Sequence, residues 1–327
     1  MRKLSNFVLA GALLALATSF AAGPSAAQSS WPTKPVKLIL PVVPGGGIDT
    51  LARTLQNGVS ARLGKPLLIE NRASNAYIVG TELVARATDD HTIGLLLVGT
   101  HAANPTVQGT LPYDTKKDFA PIINLTSSPN IISVHPSTSM KSLADLVAEA
   151  KAAPGKHFYA SSGIGGGQHF AGEMLKQMAG IDMVHVPYKG SGASLRDAVS
   201  GEIKIIFGNV ISSGPFITQG SLRALAVTSL KRSPLFPDVP TLDELGYKGF
   251  SVEDDYAIIG PSSLKPEMIK KIHDAFRETM LDPELQPKLL QQGLFAHLLG
   301  PDELKAYIEK EMVKLSDIAV KAKIKAE

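Results

Sequence analysis

Pro44-Gly45-Gly46-Gly47-Ile48-Asp49 follows the apolar run Val36–Leu40, and Leu51, Leu55, Val59 and Leu63 repeat at four-residue spacing behind it. The run reads as a buried strand, the repeat as the inner stripe of a helix, and the glycines as a tight turn joining them. At such a junction the first N–H groups of the helix have no intrahelical acceptor, and the helix dipole favours negative charge in front of them. A bland loop would need one glycine. Three in succession carry an entropic cost that is explained if the backbone must approach a ligand closely. Asp49 then reads as a cap or a brace for the loop, since a carboxylate beside a bound anion would repel it.

A second junction of the same kind is Ser161-Ser162-Gly163-Ile164-Gly165-Gly166-Gly167-Gln168-His169, ahead of a stripe formed by Phe170, Met174 and Met178. Its hydroxyls and the amides after Gly163 could donate several charge-assisted hydrogen bonds to a carboxylate. Gln168 and His169 sit in the first turn of the helix and could reach the same space. Two such turns suggest two jaws closing on one small anion. Neither carries the Lys-Ser/Thr pair of a nucleotide phosphate loop or the dinucleotide spacing. Ser162 with His169 could instead serve a secreted hydrolase, although there is no G-x-S-x-G elbow and no assignable acidic orienter.

Further apolar runs at Leu67–Ile69, Ile93–Val98, Ile131–Val134, Met183–Val186, Ile203–Phe207 and Leu222–Val227 read as strands, and helical stripes fall between them. This alternation predicts an α/β fold of two doubly wound, parallel sheet domains, with ligands beyond the carboxyl ends of the strands. Pro266–Met280, Glu284–Gln292 and Pro301–Ala319 read as consecutive helices returning to the first sheet. The chain would cross between domains near Asn130 and again near Phe250, with Thr126-Ser127-Ser128-Pro129 as a hinge of few contacts. The expected division is residues 28–130 with 251–327 as domain 1 and 131–250 as domain 2.

Arg2 and Lys3, an apolar stretch over residues 7–22 and Ser25-Ala26-Ala27 read as an export signal covering residues 1–27, which implies a periplasmic mature protein. The 327 residues include no cysteine, so disulfides, thiolate metal sites and cysteine nucleophiles are excluded. A formal net charge of +3, with both signs scattered, argues against nucleic acid as a partner. The eight histidines are dispersed, and no metal motif is present. Glu253, Asp254 and Asp255 read as a solvated hinge or strand end, the two aspartates diverging as strand neighbours do.

These residues carry a resemblance. Trp31-Pro32 with Lys34-Pro35, Pro44 to Gly47 with Asp49 and Ala52-Arg53, and Glu70-Asn71-Arg72 are similar, in order, to the Bug family. So are Leu111-Pro112-Tyr113-Asp114 with Lys117-Asp118-Phe119, His185 to Gly190, Leu222 to Thr228, and Pro237 to Thr241. That family comprises the periplasmic receptors of tripartite tricarboxylate transporters. The resemblance implies a two-lobed periplasmic binding protein fold with a two-crossing hinge. It implies a monomeric receptor, not an enzyme, without cofactor, that closes on an organic carboxylate and presents it to membrane permease subunits. It also implies that the carboxylate lies between Gly45, Gly46 and Gly47 on one side and Ser161, Ser162, Gly163 and Gly165 on the other.

Three departures from the family pattern bear on the ligand. Gly208 stands where many members carry an acid suited to an ammonium group. Ala73-Ser74-Asn75-Ala76-Tyr77 replaces a common Pro-Gly-Ala-Gly-Gly, and Tyr256 falls where Trp is frequent. Together they favour a dicarboxylate without an amine, an aromatic one such as terephthalate, lying against Tyr77 or Tyr256. His169, Asn209, Ser212 and Ser213 are candidates for its distal carboxylate. The alternatives are core packing of both tyrosines, and an aliphatic acid such as citrate or adipate, with signalling to a sensor kinase in place of transport.

Overall fold

The computed structural model describes residues 31–45 and 47–326. The expected signal segment and Gly46 lie outside the described residues.

Along the chain run β1 (Val36–Leu40), α1 (Gly47–Leu63), β2 (Leu67–Asn71), a 3-10 turn (Asn75–Tyr77), α2 (Ile78–Ala85), β3 (Thr92–Leu97), α3 (Val98–Val107) and β4 (Phe119–Val134). Next come α4 (Leu143–Ala152), β5 (Phe158–Ser161), α5 (Gly167–Ala179), β6 (Val184–Pro187), α6 (Ser191–Ser200), β7 (Ile205–Asn209), α7 (Val210–Thr218) and β8 (Arg223–Val227). The chain closes with β9 (Glu253–Pro261), α8 (Pro266–Met280), α9 (Gln286–Gln291), β10 (Phe295–Leu299) and α10 (Pro301–Ala322). The four-residue repeat does what its spacing requires, since Leu51, Leu55, Val59 and Leu63 of α1 are all buried.

Two sheets share the sixteen-residue strand β4. Its first part pairs antiparallel with β9 and β10, and its last residues pair antiparallel with β7 and β8. Among the described residues the strands that pair in parallel are β1 with β2 and β3, and β5 with β6 and β7, with one isolated parallel bridge between Val227 and Thr241. The expectation of parallel sheets is therefore corrected to mixed ones. A strand that leaves one sheet to enter the other, and the strand that returns beside it, run against their neighbours.

Thr126 to Pro129 form no loop of few contacts. Thr126, Ser127, Ser128 and Pro129 pair with Tyr256, Asp255, Asp254 and Glu253 of β9, and Thr126 and Ser128 are fully buried. Beyond them Asn130 pairs with Asn209 of β7. The Thr228 hydroxyl ties the two passages together: it accepts from Asn130 N–H at 2.9 Å and contacts the Val252 carbonyl at 2.6 Å.

One apolar core sits under β1, β3, β9 and α8, and a second under β5, β7, α4 and α5. The second core also takes Ala102, Ala103 and Val107 of α3 and Leu315, Ile318 and Ala319 of α10. The front of α10 packs elsewhere, with Leu304 and Ile308 against Val98 and Ala257. Helix α10 thus packs against residues of both sheets. Between α8 and α10 the expected run of helices is interrupted by β10, which the apolar run Phe295–Leu299 forms by pairing with β4.

Candidate functional site

The first glycine turn is braced from within. Gly45, at φ +90°, adopts a conformation that favours glycine, and its N–H donates to Asp49 Oδ2 at 3.0 Å. Arg53 grips the same buried carboxylate through Nε at 2.8 Å and Nη2 at 3.0 Å, and Asn71 Nδ2 adds a third donor at 3.0 Å. The Arg53 hydrogen bonds lead in holding the Asp49 carboxyl down to about 2. With Asp49 occupied in this way, the N–H groups of Gly47, Ile48 and Asp49 at the head of α1 find no protein acceptor among the described residues. A Cβ placed on Gly47 would lie 2.9 Å from the Tyr256 hydroxyl oxygen.

The second turn spends most of its expected donors on itself. Gly163 N–H donates to Ser161 Oγ at 3.2 Å, and that hydroxyl lies 2.6 Å from His185 Nε2. Both the N–H of Ser162, at 3.0 Å, and its hydroxyl donate to Gln168 Oε1. Gly165 N–H donates to His169 Nδ1 at 3.2 Å, and the His169 ring stacks on His185 with centroids 3.7 Å apart. Burial pushes the two imidazoles down, to about 3 for His169 and about 4 for His185, so both are neutral at physiological pH. At the head of α5 the N–H groups of Gly166, Gly167, Gln168 and His169 find no protein acceptor among the described residues, and neither does that of Ile164 earlier in the turn. The donors therefore begin later in the turn than the serines suggest.

A hydrolase finds no support in this arrangement. Ser162 is bonded to Gln168 and His169 to Gly165, so the two never meet. Ser161 does pair with a histidine, His185, but it is fully buried, and the imidazole is a weakened base.

Both turns face strand β9. A Cβ on Gly167 would stand 2.6 Å from Asp254 Oδ1 and 3.2 Å from Asn130 Nδ2. Asp254 and Tyr256 are two residues apart on a strand, so they share one face, and each meets one of the two glycine turns. Asn209 Nδ2 donates to Asp254 Oδ2 at 2.9 Å. Its amide orientation is pinned, because Asn209 Oδ1 accepts from Ile211 N–H at 2.9 Å and from the Ser128 hydroxyl at 3.3 Å. Burial raises the Asp254 carboxyl to about 6. The expected solvated strand end is thus corrected: Asp254 is half-buried between the lobes and held by Asn209. Asp255 points to the other side of β9, where it accepts from Tyr307 Oη at 2.6 Å and meets His297 Nδ1 at 3.0 Å.

Tyr77 reaches this region from the loop after β2. Ala76 and Tyr77 hold φ of +48° and +66°, in the stretch where the family resemblance places paired glycines. Asn104 Nδ2 donates to the Ala76 carbonyl and Thr81 Oγ1 to the Tyr77 carbonyl, both at 2.8 Å. The phenol of Tyr77 is pushed up to about 12, first by burial and then by the charge of Asp254. Tyr256 is buried in the first core as well as facing Gly47.

Gly208 faces elsewhere. A Cβ there would come 2.2 Å from Ser213 Oγ, beneath α7, whereas its neighbour Asn209 turns to Asp254. Ser213 is fully buried and Ser212 Oγ donates to the Asn209 carbonyl at 3.2 Å. Of the candidates for a distal carboxylate, only Asn209 faces the space beside Asp254. Reading the sequence missed Asp254, Asn130 and Gly167. The signal available was the pair Asp254 and Tyr256 at the spacing that places strand residues on one face.

Comparison with known proteins agrees with this architecture. The family model described as tripartite tricarboxylate transporter family receptor matches residues 51–323. Protein BugT of Bordetella pertussis is 29% identical over 308 residues, covering 93% of each chain. Among solved structures, the periplasmic binding protein BugD superposes with a TM-score of 0.77 at 29% identity, over 90% of this chain and 100% of that one. Rpa4515 of R. palustris, solved with adipate, gives a TM-score of 0.79 at 30% identity, over 89% of this chain and 97% of that one. The two-lobed α/β fold is that of periplasmic binding proteins, and the chain belongs to the tripartite tricarboxylate transporter receptor family.

Proposed function

We propose that the protein is a periplasmic receptor that captures an organic dicarboxylate between the heads of α1 and α5 and delivers it to the permease of a tripartite tricarboxylate transporter. The observation that carries this reading is that Gly47 and Gly167, at the heads of those helices, abut Tyr256 and Asp254 on one face of β9. Two sets of unpaired N–H groups on opposite sides of one crevice suit one anion held by both. Closure follows from differential affinity: each lobe contributes donors, so the closed state binds more tightly than the open one, and ligand shifts the population toward it. The adipate complex of Rpa4515 supports an acidic ligand for a relative of this fold. Tyr77 and Tyr256 supply flat apolar walls, which favours an aromatic diacid such as terephthalate over citrate-like or adipate-like acids.

A thermal-shift panel on the mature protein, using terephthalate, adipate, citrate and matched monocarboxylates, tests this reading. A diacid at about 100 times its dissociation constant should add about 2.7 kcal/mol of stability. The expected order is terephthalate first, with benzoate and acetate inert. A panel with no stabilising acid would remove the receptor reading, and a response to citrate alone would remove the aromatic one.

A further inference from the structure

Asp254 is an acid placed where a receptor for acids would be expected to carry a base. Among the described residues no lysine, arginine or histidine contributes to holding its charge, and the side chains that donate to it are the amides of Asn209, foremost, and Asn130. Around Asp254, from β9 itself come Glu253, Asp255 and Tyr256, from the loop after β2 comes Tyr77, from β4 and β7 come Asn130 and Asn209, and from α5 comes Gly167. On α10, Glu311 lines the same small cavity as Glu253, Asp254 and Gly167, with its charge answered by Lys314 Nζ at 2.5 Å. The polar hydrogens turned toward Asp254 are those of Asn209 and Asn130, with the phenols of Tyr77 and Tyr256 nearby. The carboxyl of Asp254 thus has hydrogen-bond donors but no cation beside it among the described residues.

Resting on the receptor reading above, we infer that Asp254 selects the protonation state of the ligand: the second carboxyl of the diacid binds against Asp254 with one proton shared between them. Two adjacent carboxylates in a buried site cannot both be ionised, and a shared proton turns repulsion into a charge-assisted O–H···O⁻ bond. The proton arrives either on the ligand, as the hydrogen dicarboxylate, or on Asp254 from solvent, and the bound pair carries one negative charge in both cases. Burial already raises the Asp254 carboxyl to about 6, so the protonated form is accessible near neutral pH before ligand arrives. The ligand class that fits is a diacid offered as its monoanion.

Calorimetric titration of the mature protein with terephthalate and adipate at pH 5, 6, 7 and 8 tests the inference. Affinity should rise as pH falls, by up to about tenfold per unit above the relevant pKa. Near pH 7 about one proton should be taken up per ligand, read from the heat in buffers of different ionisation enthalpy. Asp254→Asn keeps the shape and a donor without the charge, so it should bind at pH 8 nearly as the wild type does at pH 5. Diacid affinity that does not change with pH, or proton release on binding, would overturn the inference while leaving the receptor intact. Tighter binding of amino-carboxylates such as aspartate, lost in Asp254→Asn, would overturn it in favour of a counter-charge role. Absence of diacid binding at every pH would overturn it together with the receptor reading.

Discussion

The hydroxyl oxygen of Tyr256 lies 2.9 Å from the point where a Cβ on Gly47 would stand, so the first turn of α1 and strand β9 meet with no room for a methyl group. Gly47 opens the helix, where alanine is well tolerated by the backbone. Gly47→Ala should therefore fold but push the phenol aside and narrow the crevice, weakening diacid binding by about tenfold or more. Tyr256→Phe removes the clashing oxygen, and adding it to Gly47→Ala should recover part of the loss. Titration of the four proteins of this cycle decides the matter; a double variant no better than Gly47→Ala would show that the contact is irrelevant to binding.

Ala76 at φ +48° and Tyr77 at φ +66° hold left-handed backbone that costs an L-residue roughly 1 kcal/mol each. Ala76→Gly should relieve that strain and raise stability by up to about 1 kcal/mol, read as a small upward shift in Tm. Tyr77→Gly should gain similarly in backbone strain yet bind an aromatic diacid less well, because the ring is lost. Equal affinity for terephthalate in Tyr77→Gly and wild type would remove Tyr77 from the site.

Asp49 links Gly45, Arg53 and Asn71 at one buried carboxylate. Its folded-state pKa of about 2 lies below the ordinary carboxylate value, so its contribution is complete above about pH 4 and is lost as pH falls toward 2. Asp49→Asn should cost about 1–2 kcal/mol at pH 7. Urea denaturation should show that deficit shrinking as pH is lowered to 2.5. A deficit independent of pH would mean that shape, and not charge, holds the turn.

The stacked pair His169 and His185 stays neutral because burial opposes the charged form, with folded-state pKa values of about 3 and about 4. Both lie below the ordinary histidine value of about 6.5, so the stability that the pair contributes is fully present above that pH and is lost as pH falls toward 4. His297 departs in the other direction, raised first by its hydrogen bond to Asp255. NMR titration should place His297 above about 6.5 and leave His169 and His185 unprotonated at pH 5. Titration of either stacked ring near 6.5 would contradict their burial.

Gly172 makes a prediction about stability alone. A Cβ there would meet the Tyr159 ring at 2.4 Å, where α5 packs on β5. Gly172→Ala overpacks a closed contact and should destabilise by about 1–3 kcal/mol, with diacid affinity per folded molecule unchanged.

The parts of the fold written in local periodicity were legible in the sequence. Val36–Leu40 and Pro266–Met280 form their elements with the limits that apolar runs and proline starts suggest. What periodicity could not reveal was β9, because its first three residues, Glu253, Asp254 and Asp255, are acidic and read as solvated. In three dimensions β4, β7 and α10 gather around them, burying Asp255 and half-burying Glu253 and Asp254. The N-terminal half of β4 escaped for a related reason, since Asn124, Thr126, Ser127 and Ser128 are polar yet fully or almost fully buried. The two glycine turns were legible as helix heads, but which of their amides stay free depends on Gln168 and His169 folding back, a choice of rotamer that no spacing encodes.

Thr228 has a mechanical consequence. Because its single hydroxyl is fastened to Asn130 on the outgoing passage and to Val252 on the returning one, neither strand can flex without dragging its companion. The two straps therefore act as one torsion bar. Replacing Thr228, whose hydroxyl sits directly behind Asn130, should loosen both passages at once.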